Sequence, residues 1–165
     1  MTTRTDRPGF QPVRRDQLHP ERVHDTYKLR KKLAEPTLCD GCGAVYRAGR
    51  WQWGAPTAGA ERIVCPACQR IRDDFPAGYV EVGGDFFAAR RGEIMSLLRH
   101  HESREKGQHP LARIMAITDT PTGVLVTTTD LHLARGLGEA LHHAYQGELT
   151  FRYEAENRLR MSWHR

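Results

Sequence analysis

Cys39-Asp40-Gly41-Cys42 and Cys65-Pro66-Ala67-Cys68 contain every cysteine of the chain, in two Cys-x-x-Cys pairs with 22 residues between them. A pair at this spacing lets two thiolates converge on one ion across a tight turn. A second pair brought alongside completes a closed tetrahedral shell with no open position. Gly41 and Gly43 give the first turn a permissive backbone, and Pro66 stiffens the second. The spacing predicts a structural zinc ribbon with Cys39, Cys42, Cys65 and Cys68 as ligands of Zn2+. Disulfides are the weaker alternative in a chain where no secretion signal is expected. A redox Cys-x-x-Cys would need a surrounding βαβ pattern, which is absent.

Iron is the sharper rival, because rubredoxins also use two such knuckles, often with proline in the second. Here Gln69 follows the second knuckle where a rubredoxin would have glycine. Four thiolates around a divalent ion carry a net charge of about −2, so basic residues close to the site matter more than the global charge. Around the knuckles, Ala44–Arg47, Arg50–Trp53, Arg62–Val64 and Tyr79–Val82 read as short strands, the last stopped by Gly83-Gly84. The ribbon is therefore expected over 37–85. Trp51 and Trp53 are two apart and share a face. Flanked by Arg47, Arg50, Arg70 and Arg72, they are candidates to stack nucleic-acid bases. The competing role, favoured for at least one of them, is to cover the knuckles as a miniature core.

Upstream, residues 1–36 hold nine basic and five acidic residues, leaving 37–165 at only +1 of the total +5. Prolines 8, 12, 20 and 36 and few large apolar residues predict a disordered basic arm over 1–36. Arg14, Arg15, Lys28, Arg30, Lys31 and Lys32 are its candidate nucleic-acid contacts. A solubilising tail is the plainer reading of the same charge.

Downstream, an α-β-β-α-β-β module is expected over 90–165. Ile94, Leu97, Leu98 and His101 follow helical spacing, and Gly107 and Pro110 stop that helix. Leu111–Thr118 and Val124–Thr129 flank the turn-rich Asp119–Gly123, a hairpin pattern. Asp130 is a good N-cap for a helix whose stripe is Ala134, Leu137, Leu141, Ala144 and Tyr145. Leu149, Phe151 and Tyr153 alternate with polar residues, as do Leu159, Met161 and Trp163. Keeping both apolar rows on one face requires a three-residue loop, Ala155-Glu156-Asn157, with Asn157 left-handed. Glu154 then opposes Arg158, and Arg152 opposes Arg160. The second is a like-charge pair, which an anion between the arginines would relieve. Arg152, Arg158 and Arg160 are thus candidate phosphate contacts. Overall the fold class is α+β.

At 165 residues and 39% hydrophobic content, the chain is too short for a (β/α)8 barrel and has core material for only part of its length. Its longest apolar runs fall short of a membrane span. No apolar segment follows the N-terminal basic residues, so no secretory signal is expected and the expected compartment is the cytoplasm. Arg14-Arg15 is not a twin-arginine signal for the same reason. There is no phosphate-binding glycine loop, no dinucleotide fingerprint, no nucleophile elbow and no spare cysteine. The pairs His100-His101 and His142-His143 point about 100° apart on a helix and make poor two-ligand sites. No catalytic constellation is found, and the chain is not expected to be an enzyme or to bind a nucleotide cofactor.

Cys39-x-x-Cys42-Gly43, Cys65-Pro66-x-Cys68 with its basic exit Gln69-Arg70-Ile71-Arg72, and the run Ile117–Ala134 together resemble the Nmd-type family of large-ribosomal-subunit export adaptors. Gly123–Arg135 carries most of the likeness, matching a strand that runs through glycine into a helix starting near a His/Leu-Ala-Arg stretch. The family has further Cys-x-x-Cys pairs and domains, so the resemblance implies a minimal, bacterial-type relative spanning 39–165. It implies binding to ribosomal RNA or a subunit rather than nuclear export. The functional expectation is a non-enzymatic RNA- or ribosome-binding protein. Its alternatives are a zinc-ribbon adaptor for a protein or DNA partner, and a rubredoxin-like iron electron-transfer protein.

Overall fold

In the computed structural model of the chain, the described residues are 27, 29 and 31–165. Arg14, Arg15, Lys28, Arg30 and most of the expected arm lie outside them. The end of that arm is not separate from the ribbon. The Glu35 carboxylate accepts the backbone N–H groups of Ala48 (2.8 Å) and Gly49 (3.0 Å), and Thr37 Oγ1 donates to Ala34 O (2.7 Å). Lys31 and Lys32 are exposed.

The ribbon consists of four three-residue strands, β1 (Thr37–Cys39), β2 (Val45–Arg47), β3 (Arg50–Gln52) and β4 (Glu61–Ile63). They lie in the order β3-β2-β1-β4, with only β1 and β4 parallel. A helix not expected from the sequence, α1 (Pro66–Asp73), follows the second knuckle. Cys65 is its N-cap and Pro66 opens its first turn, where a missing N–H costs nothing.

The strand expected to close the ribbon belongs elsewhere. β5 (Gly78–Gly83) is the central strand of a second, five-stranded sheet, where it pairs antiparallel with β7 (Gly123–Thr128) and parallel with β9 (Arg158–His164). The 37–85 grouping thus joined two different sheets. Two helices follow β5, the short α2 (Asp85–Ala89) and α3 (Arg91–Gln108). β6 (Ile114–Thr120), α4 (Leu131–Tyr145) and β8 (Glu148–Glu154) complete the sheet order β6-β7-β5-β9-β8. The expected α-β-β-α-β-β order is present, preceded by β5 and α2.

The core lies between this sheet and α3 and α4. Val80, Val82, Val124, Val126, Leu159, Met161 and Trp163 point toward the helices and are buried with Ile94, Leu98, Leu133, Leu137 and Leu141. Asp130 caps α4 by accepting Leu133 N–H at 3.2 Å. Gly78 and Gly123 are required by close approach. A Cβ at 78 would lie 2.4 Å from the Ala134 methyl, and one at 123 would lie 1.9 Å from Val82 O. The last hairpin has the expected register, with Glu154 opposite Arg158 and Arg152 opposite Arg160. Its loop is a 3-10 turn, Ala155–Asn157, with Asn157 at φ 56°.

Candidate metal centre and the faces around it

The first knuckle is shaped by its own backbone. Gly43 N–H donates to Cys39 O at 3.0 Å and Cys39 N–H to Ala44 O at 2.8 Å, with Gly43 at φ +76°. Gly41 matters for space as well, since a Cβ there would lie 2.8 Å from Cys68 Sγ. The second knuckle is the start of α1, where Cys65 Sγ accepts Cys68 N–H at 3.4 Å. Cys65 N–H donates to Cys39 Sγ at 3.2 Å and thereby ties one knuckle to the other.

These turns bring all four Sγ atoms within 4.8 Å of one another, and none is in a disulfide. Cys39 Sγ and Cys68 Sγ are 3.8 Å apart, as are Cys42 Sγ and Cys65 Sγ. A tetrahedral ion with metal–sulfur bonds of ~2.3 Å separates its ligands by about 3.8 Å, so the four cysteines fit one tetrahedral ion. Their electrostatics call for a cation. Burial pushes the Cys42 and Cys65 thiols up, and neighbouring thiolates push the same way. Burial also acts to raise Cys39, but the N–H groups of Cys65, Cys42 and Gly41 more than offset it and bring it down to about 7. Cys42 and Cys65, both raised, become thiolates readily only when positive charge joins them.

Part of that charge comes from a residue the sequence reading missed. Arg113, buried at 8% exposure, reaches the centre from the chain just before β6. Its Nη2 lies 3.3 Å from Cys65 Sγ, 3.4 Å from Cys68 Sγ and 3.7 Å from Cys42 Sγ, and its Nη1 lies 3.4 Å from Cys68 Sγ. Burial alone would lower the Arg113 pKa. The Cys68 hydrogen bond and the charges of Cys68, Cys42 and Cys65 reverse this and raise it. The charge of a four-thiolate site was the available signal, since it asks for a nearby cation. Nothing local marked which one.

The other site candidates divide. Trp51 packs on the knuckle core of Cys39, Ala44, Cys65 and Ala67, and meets Tyr46 edge-on at 5.5 Å. Trp53 stays 39% exposed, with its Nε1 donating to Lys106 O at 2.7 Å. Arg47 is exposed and donates to Thr57 Oγ1 at 2.5 Å; Arg50 is exposed at the same hairpin. Arg72 is exposed beside Asp73 at 3.7 Å. Arg70 departs from its expected role as a nucleic-acid contact. It is only 3% exposed, stacks 4.6 Å over the Tyr27 ring and 5.8 Å from Phe75, and donates to Phe75 O at 3.0 Å.

Arg152 and Arg160 lie on the face of the five-stranded sheet away from α3 and α4. One cross-strand row there reads Arg152, Arg160, Tyr79, Thr127 and Ala116 across all five strands. Arg160 sits 4.4 Å over the Tyr79 ring, and Arg158 sits 5.6 Å from the Phe75 ring. The anion expected between Arg152 and Arg160 is supplied by the chain itself. Glu154 Oε1 accepts from Arg152 Nη2 at 3.1 Å and from Arg160 Nε at 3.0 Å.

Taken together, fold and site define an α+β protein with a ribbon whose four clustered cysteines could hold one metal ion. Comparison with family models and with curated proteins finds no match to this chain. Among the described residues, no helix is long and apolar enough to cross a membrane.

Proposed function

We propose that this chain is a non-enzymatic, zinc-stabilised RNA-binding protein whose target is ribosomal RNA or a ribosomal subunit. The observation that carries the reading is the helix-free sheet face. There an Arg152–Arg160–Tyr79 row brings two guanidinium groups together with an aromatic ring, Arg160 stacked over the ring and paired with Glu154 and Glu81. Arginines contact phosphates and rings accept bases, and a flat, open sheet presents both along a single strand of RNA. Exposed Arg47, Arg50 and Arg72 extend positive charge over the ribbon. The likeness of Gly123–Arg135 to the Nmd-type adaptors directs the choice of RNA. Zinc is favoured over iron because a redox-inert ion suits a site whose task is to hold the fold, and Gln69 stands where the rubredoxin pattern has glycine.

The test is binding of fluorescently labelled ribosomal RNA to the purified chain over a salt series. Steep weakening with salt is expected, and the log–log slope should fall by roughly 1.5 when Arg152 and Arg160 are both changed to Gln. Affinity that ignores salt, or a double variant that binds like the parent, overturns the reading. In lysate, the protein should co-sediment with a ribosomal particle at low salt and leave it after RNase. Elemental analysis of the colourless purified protein should find one zinc per chain.

A further inference from the structure

Arg113 belongs by its backbone to the five-stranded sheet and by its side chain to the ribbon. Its N–H donates to Thr129 Oγ1 at 2.9 Å, and its carbonyl accepts from Thr129 N at 2.9 Å. Thr129 follows β7, so these bonds fix the Arg113 main chain to the sheet. The guanidinium then crosses to the metal centre, where Cys42, Cys65 and Cys68 receive its N–H groups. Its Nε is buried without a partner. Among the described residues no carboxylate pairs with it, so the thiolates are its counter-charge. Leu111, two residues earlier, packs on the knuckle core.

We propose that Arg113 makes the metal centre a clamp between the two sheets: filled, the anionic centre holds the ribbon against the sheet module, and emptied, it releases that hold. The physical reason is reciprocal. The guanidinium N–H groups hold Cys42, Cys65 and Cys68 in one cluster, and the buried guanidinium has those acceptors only while the cluster stays assembled. Loss of the ion frees the four cysteines to move apart, leaving the buried guanidinium without its gathered sulfur acceptors. The guanidinium then gains by moving into water, and the segment from Leu111 to Ile114 moves with it. Arg113 is thus a positioning residue for the ligands, and the centre reports its occupancy to the sheet through one side chain.

The test uses the full chain loaded with Zn2+ and two variants, Arg113→Met and Arg113→Lys. Chelator competition should find zinc held about 10–100-fold more weakly in Arg113→Met, with partial rescue in Arg113→Lys, which keeps the charge but loses the fork. In the Co2+-loaded protein, the thiolate-to-cobalt charge-transfer band should shift in Arg113→Met. A lost packing contact alone would leave the band in place. Iodoacetamide should alkylate Cys68 first in that variant, because both guanidinium N–H groups reach it. The clamp is read in the wild-type chain by hydrogen exchange. Stripping zinc should speed exchange at the Arg113 and Thr129 amides while Val80 and Val126 in the core stay protected. Zinc affinity within twofold of wild type in both variants, with an unshifted band, overturns the positioning role. Unchanged exchange at Arg113 and Thr129 after zinc removal overturns the clamp. The wild-type arm decides the second point even if Arg113→Met fails to fold.

Discussion

Glu154 accepts Arg160 Nε at 3.0 Å and, through the same oxygen, Arg152 Nη2 at 3.1 Å, so one carboxylate separates two arginines that the sheet register places face to face. The hydrogen bond from Arg160 leads the forces that hold the Glu154 carboxyl below the usual carboxylate range, with the charges of both arginines adding to it. Removing that charge has two effects of opposite sign. Glu154→Gln leaves the facing guanidinium groups mutually repelling, so the thermal midpoint should fall slightly. The same change raises the positive potential of the proposed RNA face, so RNA affinity at low salt should improve roughly two- to threefold and lose that gain at high salt. A thermal scan and a salt series on one preparation check both signs.

Cys65 is the N-cap of α1 and, in the proposed zinc site, one of the four ligands, and serine can take over only the first role. Serine is among the preferred N-caps, so Cys65→Ser keeps the helix start while removing one corner of the tetrahedron. Structural zinc contributes on the order of 10 kcal/mol to small sites, far above the ~1 kcal/mol of a cap. The expected result is loss of bound metal and rapid proteolysis between Thr37 and Asp74. The core around Val80 and Leu137 should remain protected. Retention of one metal per chain in Cys65→Ser would remove Cys65 from the ligand set.

What the sequence discloses here is what is local. The four clustered cysteines are two pairs of unmistakable spacing, and the last hairpin follows from alternation alone, because a slip of one residue would turn Leu159, Met161 and Trp163 outward. Asp130 was legible as a cap because the preference is local too. The misplacement of β5 has the opposite origin. Tyr79–Val82 is plainly a strand, but its parallel partner, Arg160–Trp163, lies some eighty residues later, and no local pattern announces that pairing. Arg70 and Arg113 mislead for one reason. An arginine looks solvated in sequence, and only the arrival of Tyr27 and Phe75, or of three thiolates, makes its burial affordable. α1 is short and bears only two buried residues, Ala67 and Arg70, too few to register as a helical stripe.

Two glycines should respond to alanine in opposite directions. At Gly123 the added methyl meets Val82 O at 1.9 Å, a backbone atom in the neighbouring central strand. Relief requires β5 and β7 to separate, so Gly123→Ala should destabilise by about 1–3 kcal/mol or more. Gly92, on the exposed side of the first turn of α3, has nothing within 4 Å of its would-be Cβ. There, alanine narrows the unfolded ensemble and should stabilise by roughly 0.4–1 kcal/mol. Urea denaturation of the zinc-loaded protein measures both, and a destabilised Gly92→Ala would contradict the open space described there.

His101 gives α3 and α4 a pH-dependent contact. Its ring lies against α4, where a Cβ at Gly136 would be 2.7 Å from His101 Nε2. Burial lowers its pKa below the ordinary value of 6.5; Glu105 and Glu139 oppose the shift, while Arg104 and His100 add to it. A histidine depressed in the fold binds protons more readily when unfolded. Its contribution is therefore complete above pH 6.5 and is lost as the pH falls from there through the lower folded value. Acid also weakens the thiolate centre, so the wild-type curve mixes two causes. His101→Gln has nothing to titrate at this position, and its stability should fall less steeply between pH 7 and pH 5 while zinc release follows the wild-type curve. Thermal midpoints taken across that range, with zinc content followed in parallel, separate the two. Equal slopes for wild type and variant would mean that His101 charges in place without cost.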